Sequence, residues 1–147
     1  MTTIVWKQGV LACDSQSSFD GAKYRCKEKL QQRPGYAYAV AGELGYGLAI
    51  VGWAEGGAED YPGNPDHETV VVAMNKCSGK AWCIEAPGVW IPIEDEMFAC
   101  GSGGPVALGA LAMGATPKEA VEAACEWDEG TGFEVQVVRA TQKWKGN

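Results

Sequence analysis

Threonine stands second in the chain, in "MTTIVW". A threonine hydroxyl holds its proton too tightly to attack a carbonyl at neutral pH unless a base sits beside it. A free α-amine has a pKa near ~7.7 to 8.0, close to operating pH, and can serve as that base directly or through one water. Loss of Met1 would make Thr2 the first residue, and a small second residue suits that loss. Other nucleophilic chemistry is poorly supplied. The one histidine, His67, lies in the loop segment "PDHETV". A Ser/His/Asp or Cys/His arrangement would therefore have a single candidate base, and a lone loop histidine is normally a surface residue. "CGSGGP" resembles a nucleophile elbow, but Cys100 stands where G-x-S-x-G needs glycine. The stretch also lacks the last glycine of a dinucleotide fingerprint. Cys13, Cys26, Cys77, Cys83, Cys100 and Cys125 form no C-x-x-C pair. They read as free thiols in a reducing compartment, with no metal site and no cofactor expected.

The elements that must position this chemistry follow from the pattern. Residues 2–7 and 10–13 read as two strands around a turn at Gln8-Gly9. "SQSSFDGA" (15–22) reads as polar turn material. "KYRCKEKL" (23–30) alternates, which predicts one strand with Lys23, Arg25, Lys27 and Lys29 on a shared face. "YAYAVAG" (36–42) is a short apolar strand. The spacing over 44–55 predicts a helix, against the cost of Gly45, Gly47 and Gly52. Residues 56–66 read as loop. Strands follow at 68–76, 81–86, 88–93 and 97–102. An apolar helix runs from Pro105 to Met113. Another starts at Thr116-Pro117-Lys118-Glu119, a capping box with proline in the first turn, and runs to about Trp127. "FEVQVVRA" (133–140) predicts a last strand. Segregated strands and helices fit an α+β fold of stacked antiparallel sheets with helices outside, not a βαβ fold.

The bulk numbers bound the answer. A chain of 147 residues, 46% hydrophobic and 21% charged, suits one domain, 1–147, with one core. The net charge of −7 argues against a phosphate-backbone binder, so no nucleic-acid partner is expected. No apolar run approaches the roughly 18 to 20 residues of a membrane span, and no signal-peptide pattern opens the chain. No membrane association is expected. The expected location is the cytoplasm, or a host cytoplasm for a virus-encoded chain.

"TTIV", "GVLACDSQ", the lysine-bearing strand, "AVAG" and "FACGSGGPVALGALAMGATPKEAVEAACEWDEGTGFEVQVV" together resemble the proteasome β-type peptidases. The bacterial proteasome-like peptidase HslV is the nearest type. The match covers about 1–42 and 97–140. The resemblance implies an N-terminal-nucleophile hydrolase with a four-layer αββα sandwich. One helical layer should be reduced, because only one helix is found between Gly42 and Met97 where the family has two. It implies Thr2 as nucleophile and amine base, and Asp14 as the aspartate that orients a lysine. Lys29 is the preferred lysine and Lys27 its rival. Gly42 resembles the backbone N–H donor to the oxyanion. Ser102 resembles a serine beside the amine. Asp128 and Thr131 resemble the pair that supports the terminus.

The resemblance makes a threonine-type peptidase the leading expectation. Two alternatives stay open: an inactive assembly or scaffold subunit on the same fold, and a small-amide hydrolase, since fold alone does not fix substrate. Self-association into a dimer or ring is expected, with Trp53, Trp82 and Trp90 as candidate contact residues. A peptide or protein is the expected substrate, and an ATPase partner is an open question.

Overall fold

The computed structural model describes residues 2–64 and 68–147. Met1, His67 and the end of the expected 56–66 loop lie outside the described residues. Among the described residues the chain is α+β, with three α-helices and antiparallel strand pairing throughout.

β1 (Thr3–Lys7) pairs with β2 (Val10–Cys13) around a turn at Gln8 and Gly9, both at positive φ. β10 (Met97–Gly101) and β11 (Gln136–Arg139) complete a four-stranded sheet in the order β10-β1-β2-β11. A second sheet has the order β5-β6-β7-β8-β9. Its strands are Leu30–Gln32, Tyr36–Gly42, Thr69–Asn75, Ala81–Glu85 and Val89–Pro92.

Strand alternation sorts the apolar residues into three clusters. Ile4, Trp6, Leu11 and Cys13 face Ala37, Ala39, Val72 and Met74, which forms the core between the sheets. Val5 and Ala12 turn the other way, onto α2 (Gly104–Ala112) and α3 (Pro117–Trp127). Tyr38, Val40, Val71 and Ala73 turn away from the central core onto α1 (Leu44–Ala54), through Ile50 and Val51. α1 tolerates its glycines for separable reasons. A Cβ at Gly47 would meet Val40 Cγ1 at 2.0 Å, so this glycine lets the helix sit close on β6. Gly45 and Gly52 face open space and cost only propensity. Beside α1, Tyr36, Tyr38, Trp82 and Trp90 stack edge-to-face or tilted at 5.3 to 6.3 Å. Trp53 packs on Tyr61 at 5.2 Å. These rings cover one another across β6, β8 and β9.

Three sequence expectations need correction. Residues 15–22 are not merely turn: β3 (Gln16–Phe19) pairs with β4 (Ala22–Arg25) as a separate hairpin. Residues 23–30 are not one strand. β4 ends at Arg25, a 3-10 turn spans Lys27–Lys29, and β5 starts at Leu30. The turn takes Lys29 off the face shared by the exposed Lys23, Arg25 and Lys27 and buries it. Burial of that ammonium beside a carboxylate overrides the period-two pattern. The last strand is also shorter than 133–140, because Phe133 sits at φ +62 and breaks the extended run. Among the described residues, no helix is long and apolar enough to cross a membrane.

Candidate active site

β1 delivers Thr2 and Thr3 to one end of the stacked sheets, both buried. The chain turns into β3 two residues after β2 ends, so Asp14 lies beside the start of β1 and is fully buried. A buried carboxylate is costly unless its lone pairs are satisfied. Here Asp14 Oδ1 accepts from the Thr3 N–H at 3.2 Å and from Lys29 Nζ at 2.8 Å. Oδ2 accepts from the Gln16 N–H at 3.2 Å and the Gly132 N–H at 2.9 Å. Lys29 also donates to the Gln16 carbonyl at 2.5 Å. Of the two lysines considered from sequence, Lys29 makes the ion pair and Lys27 is exposed.

A second network meets the same backbone from the opposite side. The β10–α2 turn carries Ser102, and α3 ends at Asp128. Asp128 Oδ2 accepts from Ser102 Oγ and from Thr131 Oγ1, each at 2.6 Å. Burial works to raise the Asp128 pKa, but the hydrogen bonds from Ser102, Thr131 and the Gly130 backbone outweigh it and hold the carboxyl below its usual value. The ionised carboxylate fixes the direction of the other protons. Ser102 spends its hydrogen on Asp128, so its oxygen accepts from Thr2 N at 3.3 Å. Thr131 spends its hydrogen likewise, so Thr3 Oγ1 donates to Thr131 Oγ1 at 2.7 Å.

Two glycines hold the backbone where no other residue fits. At Gly101 (φ +90) a Cβ would lie 1.9 Å from the Thr2 carbonyl oxygen. At Gly42 (φ +92), the last residue of β6, it would lie 1.8 Å from the Glu68 carbonyl oxygen. Gly42 borders two cavities. One, of about 340 Å³, is lined by Thr2, Lys29, Gln16, Ser17, Ser18, Val40 and residues 42–45. The other, of about 920 Å³, runs between β10 and the β7–β8 side of the second sheet and is also lined by Gly101 and Ser102. The thiols there are not rival nucleophiles. Burial first, with the neighbouring thiols Cys83 and Cys13 adding, pushes Cys100 up to about 12. Burial, and then the Glu85 charge, push Cys83 up to about 11. Both stay protonated at neutral pH.

The structure thus gathers Thr2, Asp14, Lys29, Ser102, Asp128 and Thr131 through hydrogen bonds, and sets Gly42 in the wall of the cavity that Thr2 and Lys29 line. Sequence reasoning missed Thr3, Gln16 and Gly132, which supply the hydroxyl and backbone groups that tie the two networks together. The doubled threonine of "MTTIVW" was a usable signal for Thr3. Backbone donors leave no mark in sequence.

No protein-family model matches the chain, and no curated protein sequence matches it. Solved structures do. The protein BPH of Thiobacillus denitrificans, in complex with epoxomicin, matches with a TM-score of 0.67 and 21% identity, over 96% of this chain and 99% of that one. A second structure of Thiobacillus denitrificans BPH matches with a TM-score of 0.69 and 19% identity, over 95% and 98% of the two chains. At this identity the likeness is one of fold.

Proposed function

We propose that the chain is a proteasome-like threonine hydrolase that cleaves peptide bonds with Thr2 once Met1 is removed. On this reading the stacked sheets and outer helices are an αββα N-terminal-nucleophile sandwich, with α1 alone as the reduced layer. One observation carries the proposal. Two hydrogen-bonded carboxylate networks, the buried Asp14–Lys29 pair and the half-buried Asp128 with Ser102 and Thr131, converge on residues 2 and 3, more polar investment than anchoring a strand end requires. The likeness in fold to a protein solved with epoxomicin supports it.

The chemistry follows from the proton directions. With Met1 gone, Thr2 N is a primary amine. Ser102 accepts one of its hydrogens and offers none, which leaves the nitrogen lone pair available to the threonine hydroxyl. The buried Lys29 cation disfavours a second cation nearby and keeps the amine neutral. The amine takes the hydroxyl proton, directly or through one water, as Thr2 Oγ1 bonds to the substrate carbonyl carbon. The Gly42 N–H stabilises the oxyanion, a contribution that typically changes rate by about 10²- to 10³-fold. The carbon–nitrogen bond breaks, and the departing amine takes the proton from the ammonium. Water then hydrolyses the threonyl ester with the amine again as base. Assembly into a ring, and any ATPase partner, belong to the same proposal.

The test is peptide hydrolysis by the processed chain. Thr2→Ala abolishes it, because no other hydroxyl shares a residue with an α-amine. Thr2→Ser retains part of it. Equal activity in Thr2→Ala and the parent chain would overturn the assignment. A processed chain inert toward every peptide points instead to a scaffold subunit.

A further inference from the structure

From Arg33 to Lys76 the chain holds no lysine or arginine, while it carries Glu43, Glu55, Glu59, Asp60, Asp66 and Glu68. From Lys80 to Lys118 there is again none, while Glu85, Glu94, Asp95 and Glu96 occur. The fold brings these two stretches face to face. Every described residue lining the cleft of about 920 Å³ falls in one of them, within 41–70 or within 83–102. The cleft is therefore walled by segments without a single permanent cation, in a molecule whose net charge is already −7.

The walls themselves are amphipathic. Val70, Ile84 and Phe98 supply apolar surface, and Glu68 and Glu85 are the acidic residues of the lining. The charge of Glu85 is felt inside: after burial, it is the next cause that raises the Tyr61 hydroxyl and the Cys83 thiol, both lining groups. Thr69 lines the cleft as well, and its buried Oγ1 has no hydrogen-bond partner among the described residues. A concave, low-dielectric surface of one sign concentrates the opposite charge. Gly42, Gly101 and Ser102 join the cleft to the candidate active site.

We propose that this cleft receives a lysine or arginine side chain of the substrate, next to the bond attacked by Thr2. The aliphatic stem lies along the apolar wall, and the cationic head meets Glu85 and Glu68. An acidic side chain is repelled by the same groups. The proposal rests on the threonine-hydrolase reading for its substrate, but its charge selectivity is measurable without catalysis.

The experiment titrates the intact chain with n-butylguanidinium and its neutral isostere n-butylurea, followed by backbone amide NMR shifts. The cation shifts resonances at 41–42, 69–70, 83–86 and 98–102, and binds about tenfold more tightly than the urea. Glu85→Gln removes that difference, and added salt weakens it. Equal binding of the two compounds, shifts located elsewhere, or wild-type selectivity in Glu85→Gln would each overturn the proposal. A second arm compares cleavage of peptides carrying arginine or glutamate beside the scissile bond. Arginine is preferred by the parent chain, and Glu85→Lys reverses the order. Cation selectivity in the cleft with no cleavage of any peptide removes the hydrolase reading. Cleavage without charge preference removes the cleft assignment and leaves the hydrolase reading intact.

Discussion

Asp14 sets the tolerances of the site, because each of its oxygens accepts two hydrogen bonds. Lys29→Met leaves this carboxylate buried without its cation, which costs about 3 to 5 kcal/mol of stability. It also removes the charge that keeps the amine neutral. Hydrolysis by Lys29→Met is therefore low at neutral pH and partly recovered as pH rises, and a pH–rate profile beside a thermal melt separates the two effects. Asp14→Asn is equally disruptive: one oxygen is replaced by an NH2 that faces two N–H donors. Asp128 gives a cleaner pH test. Its folded pKa is lowered, so its contribution to stability is fully present above the ordinary aspartate value and is lost as pH falls through the folded value. In chemical denaturation, Asp128→Asn is less stable than the parent by a constant margin above about pH 5. That margin shrinks below about pH 4 and closes in stronger acid. A margin that widened in acid would contradict the assignment. Each of these residues, read singly, had an ordinary explanation in the sequence, as a turn, a surface lysine or a helix end. Only the fold brings them into hydrogen-bond contact, and the backbone N–H groups of Thr3, Gln16 and Gly132 that complete the site carry no side-chain signature at all.

At the scale of elements, the helices were legible because their signals are local. The expected 44–55 and 117–127 are found as Leu44–Ala54 and Pro117–Trp127, and Pro105–Met113 as Gly104–Ala112. The capping box is present in full: the Thr116 side chain accepts from the Glu119 N–H, and Glu119 accepts from the Thr116 N–H. Thr116→Ala costs about 1 kcal/mol and lowers the melting temperature by about 2 to 4 °C. The β3–β4 hairpin turns at Asp20-Gly21, both at positive φ, a local signal in "SQSSFDGA" that the reading as plain turn passed over. The 3-10 turn was not legible: it follows from a tertiary demand, the burial of Lys29 against Asp14, which competes with the alternation of 23–30 and wins. Glycines make the same point in a testable way. Gly21 and Gly101 both sit at positive φ, but a Cβ at Gly21 meets nothing within 4 Å, whereas at Gly101 it strikes the Thr2 carbonyl. Gly21→Ala costs about 1 kcal/mol through φ alone and keeps activity. Gly101→Ala displaces Thr2 and loses hydrolysis. Equal activity in the two variants would show that the placement of Thr2 is not so constrained.

For the whole molecule, the expected contact residues Trp53, Trp82 and Trp90 are engaged with Tyr36, Tyr38 and Tyr61 inside the chain. Apolar surface is left outside on the β3–β4 hairpin at Phe19 and Tyr24, on β9 at Val89 and Ile91, and on and around α2 and α3, where Leu108, Met113 and Trp127 are exposed and α2 carries no charged residue. If the chain self-associates as proposed, light scattering shows a mass above the monomer that Leu108→Glu reduces. A monomer at every concentration would remove the ring from the proposal without touching the chemistry of Thr2. That chemistry is tested most directly by intact-mass and peptide-mapping measurement after incubation with epoxomicin, whose epoxyketone needs both a threonine hydroxyl and a free amine. The predicted result is a chain that has lost Met1, carrying one inhibitor adduct on the peptide that begins at Thr2, with no adduct in Thr2→Ala. A chain that begins at Thr2 and stays unmodified, or one that keeps Met1, would contradict the assignment of Thr2 as the nucleophile.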